Sequence, residues 1–282
     1  MLQTNYHTHY SICDGKGEAA DYVLAALQKG FTALGFSSHA PVPFENPTNM
    51  KKEDLPKYIK TIEDLKSEYA GKIEIYLGLE IDHIHEHPHP QKELASLPEL
   101  DYTIGSFHCM WSPKNSLYRE IDSTPEIFRA ILEEDFGGNI REFVERYYSY
   151  LAELLKTLKP TILGHLDLIK KNNPDSLYFK ESEPWYQKAV RGLYPHLRKY
   201  EPIVEVNTGG IARGKTKEVY PSPWILYELR KEDIPIMINT DAHSPDLLDA
   251  YMEEAQYIAR DAGYRKLWIL RPEGWISMPL EG

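Results

Sequence analysis

The feature that most constrains this chain is an alternation of short apolar runs, each of strand length, with longer amphipathic stretches of helical periodicity. Strands separated by crossovers of that length pair in parallel, so the pattern predicts a parallel sheet wrapped by helices. Seven runs stand out: Leu2 to His9, Thr32 to His39, Ile73 to Asp82, Tyr102 to His108, Thr161 to His165, Ile203 to Asn207 and Ile236 to His243. A further piece, Leu267 to Leu270, is too short for periodicity to settle, so seven strands are the firmer count. Between the runs, Ala19 to Lys29 carries Val23, Leu24 and Leu27, and Leu55 to Tyr69 carries Ile59, Ile62 and Leu65. Ile140 to Leu158 reads as a third helix, which Lys159-Pro160 ends. Ser123-Thr124-Pro125-Glu126 and Ser244-Pro245-Asp246 each set a hydroxyl before a proline and an acid, the chemistry of a helix's first turn.

The chain has 282 residues. One β/α barrel takes about 250 residues, so a single barrel domain over residues 1–282 is expected. With 42% hydrophobic residues the core is well supplied. The formal charge of −11 opposes a nucleic-acid backbone as partner. Acidic and basic residues interleave along 51–72 and 142–159, so the charge is not a single-sign tail. No apolar run approaches the roughly 20 residues of a membrane helix. With two cysteines, Cys13 and Cys109, and neither a basic region nor an apolar signal core in the first residues, the expectation is a cytoplasmic protein with reduced thiols. Oligomeric state leaves no mark in the sequence.

In a parallel barrel, chemistry sits at the C-terminal ends of the strands. Here those ends carry metal-type ligands. The first run closes with His7-Thr8-His9, and alternation along a strand points both histidines the same way. The second closes with His39, the third with Glu80 and Asp82, the fourth with His108, the fifth with His165 and the seventh with Asp241 and His243; the sixth is read as ending without one. A lone histidine at a strand end is ordinarily a satisfied structural residue. Imidazoles and carboxylates at six of seven ends of one barrel mouth would be costly to desolvate without cations, which argues for a metal site. The alternating His83, His85, His87 and His89 are out of register with Glu80 and run into prolines. They are read as a solvated loop, with weak metal capture as the alternative. His196 is assigned to a helix as a structural residue, and Cys13 and Cys109 to packing rather than ligation.

Taken in order, His7-x-His9, Asp14-Gly15, Ser38-His39, Gly78-Leu79-Glu80-Ile81-Asp82, Gly105-Ser106-Phe107-His108, Gly164-His165-Leu166-Asp167 and Asn239-Thr240-Asp241-Ala242-His243 resemble the PHP superfamily, the polymerase and histidinol phosphatase proteins. Within it, the length, Glu205-Val206-Asn207-Thr208-Gly209-Gly210 and Tyr220-Pro221-Ser222 most resemble the monofunctional histidinol-phosphatases of histidine biosynthesis. The resemblance implies a distorted, TIM-like (β/α)7 barrel with three divalent metal ions, Zn, Mn or Fe. It also implies one metal on His7, His9, Glu80 and Asp241, a second on Glu80, His108 and His165, and a third on Asp14, His39 and His243. The implied reaction is hydrolysis of L-histidinol phosphate to L-histidinol and phosphate. Asp241 and His243, beside the metals at the mouth, are the residues expected to assist proton movement. Another small phosphomonoester or a nucleotide end is the alternative substrate, and a non-catalytic metal-holding scaffold is the rival reading from outside enzymology.

Phosphate recognition calls for cations and loop amides. The loop after the sixth run, Thr208-Gly209-Gly210-Ile211-Ala212-Arg213-Gly214-Lys215, offers both, and Arg213 can grip a phosphate bidentately. Lys170, five residues past His165, is the second candidate.

Overall fold

The computed structural model describes residues 3–280; Met1 and Leu2, the start of the first expected strand, lie outside them. Seven parallel strands form the barrel wall: β1 (Gln3–Asn5), β2 (Phe31–Phe36), β3 (Glu74–Asp82), β4 (Tyr102–Ser106), β7 (Ile162–Leu163), β8 (Ile203–Asn207) and β9 (Ile236–Asn239), neighbours in that order. An antiparallel hairpin, β5 (Cys109–Ser112) and β6 (Leu117–Glu120), follows β4, and a second, β10 (Lys266–Arg271) and β11 (Gly274–Pro279), ends the fold. The helices are α1 (Ala19–Gln28), α2 (Leu55–Glu68), α3 (Pro88–Ala95), α4 (Pro125–Phe136), α5 (Ile140–Leu158), α6 (Pro184–Arg191), α7 (Tyr194–Tyr200), the single turn α8 (Gly209–Ala212), α9 (Pro223–Lys231) and α10 (Met252–Asp261).

The barrel closes beyond the regular strands. Thr8 and Ala242 form a parallel bridge, with His9 N–H donating to Ala242 O (2.9 Å) and Ala242 N–H to His7 O (3.1 Å). The first and last strands are shorter than their apolar runs for identifiable reasons. Asn side chains replace the ladder where β1 and β9 meet, as Tyr6 N–H donates to Asn239 Oδ1 (2.8 Å) and His7 N–H to Asn5 Oδ1 (3.1 Å). Asp241 then takes a φ of 50°, a left-handed conformation that a strand cannot continue through.

Two-residue alternation divides each strand between two environments. On β3, Ile75, Leu77, Leu79 and Ile81 point out into the main core beneath the helices, while Tyr76 and Glu80 point in. Inward residues near the N-terminal ends, among them Tyr76, Tyr102, Ile104, Ile203 and Met237, form an apolar floor sealed from below by Ile269 and Leu270 of β10. Tyr6 Oη ties floor to ribbon, donating to Leu270 O (2.9 Å) and accepting from Leu270 N–H (3.0 Å). The Tyr102 ring lies across Gly35 and Gly78, where any Cβ would collide with it. The apolar piece at Leu267 to Leu270 is thus a strand, but of a capping ribbon and not an eighth stave.

The helices follow the patterning. On α5, Phe143, Val144, Tyr147, Leu151, Leu154, Leu155 and Leu158 are buried in an i, i+3/i+4 stripe. The helix ends at Lys159, left-handed at φ 48°, just before Pro160. Thr124 Oγ1 caps α4 by accepting from Ile127 N–H. Two expectations need correction. Leu24 of α1 is 48% exposed, because Val23 and Ala26 supply the buried stripe. Ser244-Pro245-Asp246 opens only a short 3-10 turn, Pro245–Leu247, and α10 begins later at Met252. No helix among the described residues is long and apolar enough to cross a membrane.

Candidate metal centre

The C-terminal ends of the strands surround a cavity of about 210 Å³ lined by Asp14, His39, Glu80, His108, His165, Asp241 and His243, with Arg213 also on its wall. Its middle is Glu80, fully buried at the inward face of β3. Glu80 Oε2 lies 3.2 Å from His7 Nε2, 3.4 Å from His9 Nε2 and 2.9 Å from His39 Nδ1. Its other oxygen, Oε1, lies 3.0 Å from His165 Nε2 and 3.7 Å from His108 Nε2, and accepts from Ser106 Oγ (2.6 Å). Asp241 Oδ1 stands 3.6 Å from His7 Nε2 and 3.3 Å from His9 Nε2. On the outer side Asp14 reaches His243 Nε2 (3.2 Å) and His39 Nε2 (3.7 Å). The backbone carries His7 and His9 past the end of β1, yet both rings point to the same place.

Three sets of these donors are spaced to share an ion: His9, Asp14, His39 and His243; His7, His9 and Asp241; and His39, Glu80 and His108. Several of the atoms involved are buried without an aligned hydrogen bond, namely His7 Nε2, His9 Nε2, His39 Nδ1 and Glu80 Oε2, the last two meeting only as an ion pair at 2.9 Å. Buried polar groups are otherwise almost always paired. Unpaired imidazole nitrogens and carboxylate oxygens facing one another are a donor set suited to a divalent cation.

Electrostatics agrees. Without cations, burial opposes charge on Glu80, but the surrounding His7, His39 and His108 outweigh it and hold its pKa well below the usual carboxylate range. Asp241 is likewise held down, against burial, by Arg213 and His7. Burial works against protonation of His7 and His39, and the carboxylates nevertheless raise both. His9 is driven down to about 3, by burial and by His243 and His39. In the metal-free site the carboxylates thus favour protons on His7 and His39 but not on His9, and metal binding would displace those protons.

Behind the cavity a set of acceptors fixes the rings. Asp82 Oδ1 accepts from the backbone N–H of His108 (3.1 Å) and meets its Nδ1 at 2.7 Å, turning Nε2 to the cavity. Glu205 of β8 meets His7 Nδ1 at 2.7 Å with one oxygen and accepts from His165 N–H (3.1 Å) with the other. The sixth strand therefore does not end without a carboxylate. Glu205 shares its parity with Asn207, and the alternation applied to the other strand ends would have found it. Asp167 accepts from Ser222 N–H (2.9 Å) and Oγ (3.0 Å), which joins the His165 segment to Pro221-Ser222.

The two candidate phosphate ligands part company. Arg213 faces the cavity: Nη2 donates to Asp241 Oδ2 (2.9 Å), and Nη1 donates to Asp241 O (2.8 Å) and lies 2.8 Å from His243 Nδ1. Lys170 does not. It is buried within the 3-10 turn Leu168–Asn172, and its ammonium donates to Glu218 Oε1 (3.0 Å), Val219 O (3.0 Å) and Ser222 Oγ (2.5 Å) and pairs with Asp167 (2.9 Å). A 3-10 turn after β7 swings Lys170 inward and sets its neighbour Lys171 on the cavity wall with Lys215. Periodicity along an irregular loop cannot tell two adjacent lysines apart. Glu120 and Asp122, which no strand-end pattern marks, also line the cavity, brought there by the β5–β6 hairpin.

Cys13 Sγ lies 3.6 Å from both His9 Nδ1 and Tyr10 O, and Cys109 is buried near Asn46; both thiols are free. His196 lies on α7, as its context suggests. The His83 to His89 segment is not all solvated loop: His83 is fully buried, and Pro88–Ala95 is helix.

The family model of the PHP domain matches residues 4–209. A Deinococcus radiodurans protein named probable histidinol-phosphatase is 31% identical over 270 residues, 92% of this chain and 93% of its own length. The histidinol-phosphatase of Bacillus subtilis is 29% identical over 265 residues, 86% of this chain and 94% of its own length. Among solved structures, the histidinol phosphate phosphatase of Lactococcus lactis subsp. lactis, complexed with Zn, L-histidinol and phosphate, matches with a TM-score of 0.72 at 18% identity, over 94% of this chain and 95% of that one, a likeness of fold. With the barrel and its strand-end residues on this pattern, the chain belongs to the PHP domain family.

Proposed function

We propose that this protein is a metal-dependent phosphomonoesterase that hydrolyses L-histidinol phosphate to L-histidinol and inorganic phosphate. The observation that carries the reading is the convergence of nine imidazole and carboxylate side chains, His7, His9, Asp14, His39, Glu80, His108, His165, Asp241 and His243, around one cavity whose wall also bears Arg213, Lys171 and Lys215. The names of the relatives supply the substrate.

In this reading His7, His9, Glu80 and Asp241 would hold one ion, Glu80, His108 and His165 a second, and Asp14, His39 and His243 a third, of Zn, Mn or Fe. Such ions supply Lewis-acid charge for the phosphoryl oxygens and lower the pKa of water. The chain's own residues do the rest. Arg213 turns part of its guanidinium from Asp241 to the phosphoryl oxygens, the planar fork fitting two of them. Asp241 and His243, both on the cavity wall, would assist the transfer of a proton from attacking water to the departing ester oxygen. Glu205 and Asp82 keep the His7 and His108 rings in the orientation the site needs. Glu120 on the same wall offers an anionic partner to the ammonium of an amino-alcohol phosphate, while Asp122 is paired with Lys171 (2.7 Å). A small cavity in a chain of formal charge −11 suits a small metabolite over a nucleic-acid end, and two unbridged thiols suit the cytoplasm.

The test is steady-state turnover of the purified, metal-loaded protein on a panel of phosphomonoesters that includes L-histidinol phosphate and nucleotide monophosphates. A clear kcat/KM preference for L-histidinol phosphate is the expected result. Preference for another ester overturns the substrate, and no turnover of any overturns the enzyme.

A further inference from the structure

His83, the residue that follows Asp82 at the end of β3, turns away from the mouth, as its register with Glu80 requires. His83 is fully buried, and neither Nδ1 nor Nε2 has a hydrogen-bond partner. A neutral imidazole carries one donor and one acceptor, and burying both unmet is costly. With no hydrogen-bond partner at either nitrogen, the ring has a lone pair free to ligate. The carboxylate of Glu153 on α5 faces the ring, with Oε1 3.7 Å from His83 Nε2, too far for a hydrogen bond. The other Glu153 oxygen meets His85 Nδ1 at 2.8 Å. One donor atom from each of the three residues lies within 4.8 Å of the other two. Two donors on one tetrahedral zinc, each at about 2.0–2.1 Å, stand about 3.4 Å apart, close to the His83–Glu153 separation. The ring of Tyr150, 4.7 Å from that of His85 between centroids, holds His85 over the cluster.

We propose that His83, His85 and Glu153 form a further transition-metal site, separate from the mouth, that takes a zinc-class ion with two imidazoles, one carboxylate and a water position left open. Two nitrogens and one carboxylate suit Zn and its neighbours and not Mg or Ca, which favour oxygen. The site lies between the segment that follows β3 and the middle of α5. An ion there ties that segment, which begins one residue after the Asp82 that orients His108, to the longest helix of the barrel. Glu153 at 35% and His85 at 44% side-chain exposure leave a route for exchange with solvent.

The experiment is equilibrium dialysis of the full chain against buffered micromolar zinc, followed by elemental analysis, on the parent and on His85→Ala, Glu153→Gln and His83→Ala. The expected result is one equivalent less zinc in each variant than in the parent, with turnover per mouth site unchanged. His87→Ala and His89→Ala, at neighbouring surface histidines, should bind as the parent does. Because removal of the buried His83 can impair folding, His85→Ala and Glu153→Gln, both partly exposed, carry the decision. Cobalt(II) titration gives the second readout: the parent should show one more equivalent of tight binding than Glu153→Gln, whose affinity at this position falls at least tenfold. Equal zinc in the parent, His85→Ala and Glu153→Gln overturns the site, as does loss of the same equivalent in His87→Ala or His89→Ala.

Discussion

Glu205→Gln tests whether the ring-fixing layer behind the metal centre is built as the geometry says. The substitution keeps volume and shape, and only the acceptor count changes. Glu205 is fully buried and faces four nitrogens: His7 Nδ1 (2.7 Å) and Asn239 Nδ2 (2.9 Å) on Oε1, His165 N (3.1 Å) and Asn207 Nδ2 (2.8 Å) on Oε2. Burial opposes its charge, yet His7 outweighs burial and holds the pKa down, so the carboxylate is ionised at neutral pH. A glutamine has one oxygen. Its amide NH2 must therefore face two donors, whichever way it is turned. Each buried donor left unmet costs about 1–3 kcal/mol, so a loss of roughly 2–6 kcal/mol is expected in the metal-free protein. In a chain of this size that is a drop in Tm of roughly 4–15 °C. His7 also loses the partner that sets its tautomer, and zinc affinity should fall about 10–100-fold. The assays are thermal melts of chelator-treated protein and zinc titration against a competing chelator. A variant that melts within a degree of the parent and keeps its zinc affinity would refute the claim that Glu205 works as a four-fold acceptor.

Glu80→Gln removes the charge that three histidine rings face from one oxygen, and both metal content and turnover should collapse; parental kcat with parental metal content would contradict a shared-ligand role. Strong chelation should abolish phosphatase activity. Zinc retention should weaken as pH falls: His7 and His39 bind protons well above the ordinary imidazole range in the metal-free site, so protons compete with metal, and retention independent of pH would argue against that exchange. Arg213→Ala should lower kcat/KM about a hundredfold, with Arg213→Lys recovering only part; since Arg213 also pairs with Asp241, metal content must be measured on the same samples, and lost metal would reassign the arginine to the metal centre. Lys170→Met should lower Tm by leaving the fully buried Asp167 uncompensated, whereas Lys171→Ala, which frees the partly exposed Asp122 from its 2.7 Å partner, should raise KM with a smaller loss of Tm; the opposite order would reverse the assignment of the two lysines.

What the sequence determined by itself was the wall of the barrel and the residues at its rim. Alternation of period two along β3 puts Glu80 on the inner face and Leu79 and Ile81 on the outer one, and an apolar stripe of period near 3.6 makes α5 a helix that covers the wall. These are local consequences of backbone geometry, so they can be read without knowing any neighbour. Where each strand stops was not local: β9 ends before Asp241 because that residue turns left-handed, and β1 ends where Asn5 and Asn239 take over the hydrogen bonds of the ladder. Only the tertiary structure decided which charged groups meet. Glu205 reaches His7 across 198 positions of chain, the β5–β6 hairpin brings Glu120 to the cavity, and a 3-10 turn sends Lys170 into the interior while its neighbour stays at the mouth. The same holds for His83, whose outward register is legible from its distance to Glu80, but whose burial against Glu153 depends on the docking of α5. Side-chain polarity is a property of the residue, whereas the partner that compensates it is set by contacts between distant segments, and those form only when the barrel closes.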